Sequence, residues 1–410
     1  MKIRRVKLSD IAELTVGFVG NMAKQYKDEG VKFLRSLNIK PFSIVEDDLK
    51  YISREFNESL RKSILHENDL IIVRTGIPGT CCVVSKDYDG CNCADVVLVR
   101  PNLQVVNPHY LAAYINVWGK KQVEYNKVGA IQKHFNVKSA EEMLIDLPDL
   151  ESQNKVAKIL CDLNDKIISN EKINDYLEEM AKTIYDYWFV QFEFPDENGN
   201  PYKSTGGKMS RTKDFGLAPC GWKFGNLYDI AEFINGLACQ KYRPMEDEAS
   251  LPVIKIKEMH DGISSDTERV KATIPEKNIV NTGDILFSWS ASLEVQHWAG
   301  TTGGLNQHIF KVIPKKGYSS SYVYHQLQAY VIKFIQMADA RKTTMGHITS
   351  DHLRQSIIVL PPENIVRNFS QQVDDIHAEI NHINIENHRL SQLRDWLLPM
   401  LMNGQATIED

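Results

Sequence analysis

The densest cluster of chemically capable side chains is Cys81, Cys82, Cys91 and Cys93, in the pattern Cys-Cys-x8-Cys-Asn-Cys. Zinc wants spaced pairs of ligands, and neighbouring residues of a strand point to opposite faces, so Cys81 and Cys82 are poorly placed to share an ion. The expectation is reduced structural thiols and no metal. Seven cysteines in 410 residues are an odd number and too sparse for a disulfide scaffold. Gly206-Gly207-Lys208 approaches a phosphate loop, but Tyr202 stands where the first glycine belongs and Met209 where Ser or Thr belongs. Pro148-Asp149 followed by Glu151 lacks the lysine two places later that a carboxylate nuclease motif needs. GxGxxG, GxSxG and HExxH are missing from the sequence. No catalytic residue is expected.

The polar chemistry is therefore directed at binding, and charge narrows the choice of partner. The net charge is −5, but it is unevenly spread. Residues 1–150 carry +2, 151–194 carry −4, 195–362 carry +2 and 363–410 carry −5. Two mildly basic blocks alternate with two acidic ones, so the average says little. Hydrophobic residues at 43% and charged residues at 25% are ordinary for a folded chain and argue against disorder. No run of about 18 apolar residues is present, so no membrane partner is expected. Lys7, Ser9, Asp10 and Glu13 interrupt any apolar signal core after Met1-Lys2-Ile3-Arg4-Arg5, and the expectation is a cytoplasmic protein.

The chain repeats itself once. A shift of 213 residues lays Val99-Arg100-Pro101 on Val312-Ile313-Pro314, Asp146-Leu147-Pro148 on Val359-Leu360-Pro361, and Lys133-His134-Phe135-Asn136 on Gly346-His347-Ile348-Thr349. Nearer each start the shift drifts to 219, where Leu8-Ser9-Asp10-Ile11-Ala12-Glu13 matches Leu227-Tyr228-Asp229-Ile230-Ala231-Glu232. This is two copies of one module, not a solenoid.

Each copy ends in a helix. Val156, Leu160, Leu163, Ile167, Asn170, Asn174, Leu177, Ala181, Ile184 and Trp188 fall at alternating spacings of four and three. Phe369, Val373, Ile376, Ile380, Ile383, Asn387, Leu390, Arg394, Leu397 and Leu401 repeat the frame. These are heptad seams, and the simplest assembly pairs them antiparallel within one chain, about a pseudo-two-fold axis. Asn174 and Asn387 hold equivalent seam positions, where they would either fix register or sit at a wet edge. The blocks read as α+β: β-branched runs at Asp69–Arg74, Cys81–Ser85, Val96–Arg100, Ile285–Trp289 and His308–Ile313, with helices at Pro108–Trp118 and Ser321–Met337. Residues 195–221 read as a linker. The chain thus divides into a first block, 1–150; a helix, 151–194; a linker and second block, 195–362; and a second helix with tail, 363–410.

Two similar blocks, each followed by a heptad helix, resemble the specificity subunit of type I DNA restriction–modification systems. The linker strengthens the likeness, with Phe194-Pro195-Asp196, Gly199-x-Pro201-Tyr202-Lys203, Gly206-Gly207-Lys208-Met209 and Pro219-Cys220-Gly221-Trp222. So does the ending Trp396-Leu397-Leu398-Pro399-Met400-Leu401-Met402-Asn403-Gly404-Gln405. The resemblance spans essentially the whole chain. It implies two target-recognition domains, each reading half of a gapped double-stranded DNA site, with the helices as ruler and as dock for methyltransferase subunits. S-adenosylmethionine, ATP and Mg would belong to the methyltransferase and the restriction/translocase subunits, with no cofactor in this chain.

Given that likeness, the DNA-facing residues are sought among polar sets that the repeat matches. Arg74 and Thr75 open a glycine-containing turn whose counterpart is Ser288 and its neighbours. Lys133 and His134 match the region of Arg341, Lys342, Thr343 and His347. Lys24 and Tyr26 match Lys241, Tyr242 and Arg243, and Arg35 matches Lys255 beside an apolar strand. A basic loop of this kind is also what a solvated surface looks like. The competing reading is a bivalent coiled-coil adaptor that binds only proteins, and DNA protection in the presence of a methyltransferase partner separates the two.

Overall fold

The structure, a computed structural model, describes residues 3–119, 122, 135–212, 216–290, 292–340, 348 and 350–402. The chain divides into two compact units, residues 1–167 with 390–410, and residues 168–389.

In the first unit, Ala12–Val16, Val96–Pro101, Leu70–Val73 and Cys81–Val83 form an antiparallel sheet in that spatial order. Its middle strands, Leu-Ile-Ile-Val and Val-Val-Leu-Val, are apolar without interruption because both faces are covered. Leu70, Ile72, Val97 and Val99 enter one core with the helix Pro108–Tyr114. Ile71, Val73, Val96 and Leu98 enter another. Cys81 joins the first core and Cys82 the second, as strand alternation requires. Burial pushes the Cys93 thiol up to about 12 and raises Cys82 further still, so these sulfurs behave as small apolar groups. Among the described residues, no three His, Cys, Asp or Glu side chains gather to hold a metal.

A smaller mixed sheet places Val31–Leu34 between Lys50–Ile52, antiparallel, and Asn92–Cys93, parallel. A third ladder pairs Arg4–Lys7 with Leu144–Leu147, and Arg5 and Asp146 form an ion pair across it at 2.6 Å.

The second unit repeats this plan. Ala231–Asn235, Ile309–Pro314, Ile285–Ser288 and Glu294–His297 form the central sheet in the same order. Ser250–Ile254 lies between Arg269–Lys271, antiparallel, and Gly303–Leu305, parallel. Lys223–Gly225 pairs with Ile358–Leu360. Ile279–Val280 adds a strand where the first unit has only a bridge, Ile64 to Asn92.

Residues 195–221 are more ordered than a linker. Met209–Thr212 and Gly216–Pro219 form a hairpin, and the segment folds over aromatic rings. Phe194 stacks between Tyr202, at 4.7 Å, and Trp222, at 5.1 Å. Gly207 lies under Tyr202, where a Cβ would meet the ring at 2.4 Å. The Gly-Pro-rich string is a tightly folded aromatic clasp: Gly207 is there for clearance, while Gly199, Gly206, Gly216 and Gly221 have open space beside them and adopt left-handed φ of 82° to 94°.

Two long helices complete the chain, α1 (Leu150–Tyr185) and α2 (Glu363–Met402). In the first unit, Val156 and Leu160 of α1 share a core with Leu398, Leu401 and Met402 of α2. In the second unit, Asn170 Nδ2 donates to Asn387 Oδ1 at 2.8 Å and Glu386 Oε2 at 2.6 Å, and Asn174 Nδ2 donates to Asn384 Oδ1 at 2.7 Å. Partner numbers fall as α1 numbers rise, so the pairing there is antiparallel. Asn174 and Asn387 do not bond to each other; each finds a different asparagine, because antiparallel packing brings position 170 opposite 387. Asn170, 1% exposed, is the buried polar member of the seam. The helix Ser320–Ala340 docks on both long helices through polar contacts: Ser321 to Asp374 at 2.6 Å, Tyr324 to Glu178 at 3.0 Å and His325 to His377 at 3.0 Å. Among the described residues, no helix is long and apolar enough to cross a membrane.

Candidate nucleic-acid interface

In each unit the chain crosses from the small mixed sheet into the central sheet through a short segment, and the polar loops meet there. In the first unit the segment is Cys93–Val96. Phe18 N donates to Cys93 O at 2.8 Å and Gly17 N to Val96 O at 2.9 Å, where the loop bearing Lys24 and Tyr26 departs. In the second unit, Leu237 N donates to Leu305 O at 2.8 Å and Gly236 N to Ile309 O at 3.1 Å, where the loop bearing Lys241, Tyr242 and Arg243 departs. Gly17 and Gly236 are glycines because the backbones touch: a Cβ would lie 3.0 Å from Cys93 O and 2.0 Å from Asn306 O, respectively.

The turn after the next central strand arrives at the same point. Arg74 Nε donates to Phe135 O at 3.1 Å, and Ile348 N donates to Trp289 O at 3.2 Å. Phe135 and Ile348 are the matched residues that follow Lys133-His134 and Gly346-His347. Two loops in each unit, together with the described residue Phe135 or Ile348, therefore meet at one end of the central sheet.

The side chains at this point differ. Asp95, with a left-handed φ of 54°, accepts from Thr75 Oγ1 at 2.8 Å and faces Arg74 Nη1 at 3.3 Å. Its backbone N–H donates to Phe18 O and its carbonyl accepts from Ser36 Oγ. In the second unit the His308 ring lies against Trp289 with centroids 5.6 Å apart. Gln307 Nε2 lies 3.2 Å from His308 Nε2. A charged cluster in one unit is replaced by an aromatic–amide cluster in the other, on the same backbone plan.

Several candidate residues are held by internal partners. Arg35 donates to Asp48 Oδ2 at 2.8 Å, and Lys255 meets Glu268 Oε1 at 2.8 Å. Arg35, assisted by Lys50, holds the Asp48 carboxyl down at about 2, and Lys255 lowers that of Glu268. These are one duplicated ion pair, which closes the small sheet in each unit. Ser288 is buried and donates to Ser292 O. Arg74 and Thr75 organise the turn through Asp95. Tyr26 packs edge-on to Phe33 at 6.2 Å, and Tyr242 leans on the core under its loop. Lys24, Lys241 and Arg243 are exposed. Lys133, His134, Arg341, Lys342, Thr343 and His347 lie outside the described residues. Asp95, Gln307 and His308 were not selected from the sequence. Their signal was position, immediately before the matched strands that begin at Val96 and Ile309.

A duplicated module with converging polar loops, paired heptad helices and no catalytic constellation among the described residues defines a bipartite recognition protein. The family of type I restriction modification DNA specificity domains matches residues 2–179 and 219–394, and the chain belongs to it. The specificity subunit of the type I restriction enzyme HindI, from Haemophilus influenzae, is 23% identical over 367 residues, covering 75% of this chain and 80% of that protein. The MjaIX specificity subunit of Methanocaldococcus jannaschii is 24% identical over 280 residues, covering 66% and 62%. The crystal structure of a type I restriction–modification S subunit from M. genitalium shares the fold at a TM-score of 0.54 and 10% identity, covering 98% of this chain and 96% of that one.

Proposed function

We propose that this chain chooses the DNA target of a type I restriction–modification assembly, with each unit reading one half of a gapped double-stranded site. The observation that carries the reading is the duplicated crossover: one scaffold, two sets of loops, and different side chains where they meet. A protein that reads two unlike half-sites needs this combination, since backbone and phosphate contacts position while side chains specify. Exposed Lys24 in one unit and Lys241 and Arg243 in the other supply cations for phosphate.

The helices are assigned to spacing and to docking of methyltransferase subunits. Ile173, Tyr176, Met180, Tyr187 and Val190 are exposed apolar residues at helical spacing on α1 and the turn that follows it, with Tyr176 as much as 72% exposed. Such a row invites a protein partner more than DNA, and the adaptor role is thereby absorbed into the assembly. S-adenosylmethionine would be held by the methyltransferases, and ATP with Mg by a restriction/translocase subunit.

The test is reconstitution with the cognate methyltransferase subunits, followed by methylation of a random DNA library. The expected product is a motif of two short conserved halves around an unspecified gap. Replacing residues 1–150 with another such module should alter one half alone. A single continuous motif, or a change in both halves, overturns the assignment of one unit per half-site.

A further inference from the structure

We infer that the crossover residues, Asp95 in the first unit and Gln307 with His308 in the second, select bases in the two half-sites. This rests on the DNA-recognition reading above and names residues within it. These side chains stand where the chain crosses between two sheets, and the backbone at Asp95 and at His308 is held by hydrogen bonds from neighbouring segments. Asp95 is bonded through Phe18 and Ser36, and His308 N donates to Asn306 Oδ1 at 3.3 Å while its carbonyl accepts from Trp289 N at 3.3 Å. Fixed geometry of this kind is what discrimination between base edges requires.

The chemistry of the two sites is also complementary to base edges. A carboxylate near DNA repels phosphate unless a cation stands beside it, and Arg74 is that cation at 3.3 Å. Asp95 is still 49% exposed at its side chain, so its carboxylate keeps acceptor capacity for an amino group, cytosine N4 above all. Gln307 presents both an acceptor and a donor, the pattern that adenine N6 and N7 match. His308 is exposed and steadied by the Trp289 ring. The first half-site is therefore expected to hold a C·G pair under Asp95, and the second an A·T pair under Gln307.

The experiment uses the complete complex with its methyltransferase subunits and compares base preference at every position of the methylated motif. If the wild-type complex yields no gapped motif, the DNA-recognition reading itself fails. If it does, Asp95→Asn, which keeps shape and tolerates the left-handed backbone, should relax or change preference at one position of one half by about tenfold. Gln307→Glu should shift preference away from adenine at one position of the other half, by a similar factor. Asp95→Glu and His308→Gln serve as second variants, with thermal unfolding and subunit assembly measured on each. A variant that assembles and keeps the original base profile overturns the inference, whether or not its rate falls, since a loop-organising role lowers all sequences together.

Discussion

A pair of histidines shows how burial at one point sets the behaviour of a unit with pH. His325 and His377 meet Nε2 to Nε2 at 3.0 Å, so one donates, the other accepts, and both are neutral. Burial, with a contribution from His377, lowers His325 to about 3, and burial lowers His377 to about 4. His297, Tyr324 and Tyr185 pack their rings around the pair, and Glu178 accepts from Tyr324. In the unfolded chain these histidines titrate near about 6.5. Stability from keeping them neutral is full above that pH and is lost as pH falls through the window toward the folded values. The second unit should lose about 1 kcal/mol or more per histidine between pH 7 and pH 5, and His377→Phe should flatten the slope. A denaturation midpoint that does not move over that interval would remove the argument. None of this was legible in the sequence, where His325 and His377 are 52 residues apart and share no motif. The ion pairs were more nearly legible. Asp48 follows Arg35 by 13 residues, and Glu268 follows Lys255 at the same interval. A cation duplicated with its own acid signals an internal pair, and reading the cation alone hid that.

Helices and strands were the most readable level, because each is governed by a short period. Seam residues Val156, Leu160, Ala181, Trp188, Phe369, Val373 and Leu401 enter the cores of their units, and the strand runs at 70–73, 96–101, 285–288 and 309–314 lie within a residue or two of where β-branching put them. The clasp at 195–221 was misread because Gly and Pro mark turns whether or not a hairpin follows, and ring stacking leaves no periodic trace. The sequence marks asparagine at two seam positions, but the partner of each depends on antiparallel register, which a single helix does not encode. Asn170→Leu should destabilise the second unit by about 1–3 kcal/mol, because it removes a partner of the half-buried polar groups of Glu386 and Asn387 on α2. Asn170→Leu with Asn387→Leu should restore most of that loss while loosening register. Denaturant midpoints measure the first effect, and disulfide trapping between cysteines placed along α1 and α2 measures the second. Equal midpoints for the single and double variants would show that the asparagines act independently.

At the scale of the whole chain, duplication is what made the fold legible and what made the site partly illegible. Scaffold positions repeat, so comparing the halves exposes them; Asp95 differs from Gln307 and His308 across the repeat, so the same comparison passes over them. If the paired helices set the gap between half-sites, lengthening both must lengthen the gap. Seven residues inserted after Lys172 and seven after Ile385 fall between the asparagine layers and keep the seam in phase. Each helix then gains about 10 Å, or about three base pairs at about 3.4 Å each. Three base pairs also turn the duplex by about 100° at roughly 10 base pairs per turn, so one heptad should widen the preferred gap while weakening methylation. Three heptads add about 31 Å, close to one full turn, and should bring the second half-site back to its original face with a gap about nine base pairs wider. A four-residue insertion rotates the seam and should weaken assembly itself. Sequencing the methylated motifs of these variants decides the matter: an unchanged gap in a variant that assembles would mean that contacts made by the units or the methyltransferases fix the spacing, with the helices serving only to hold the chain together.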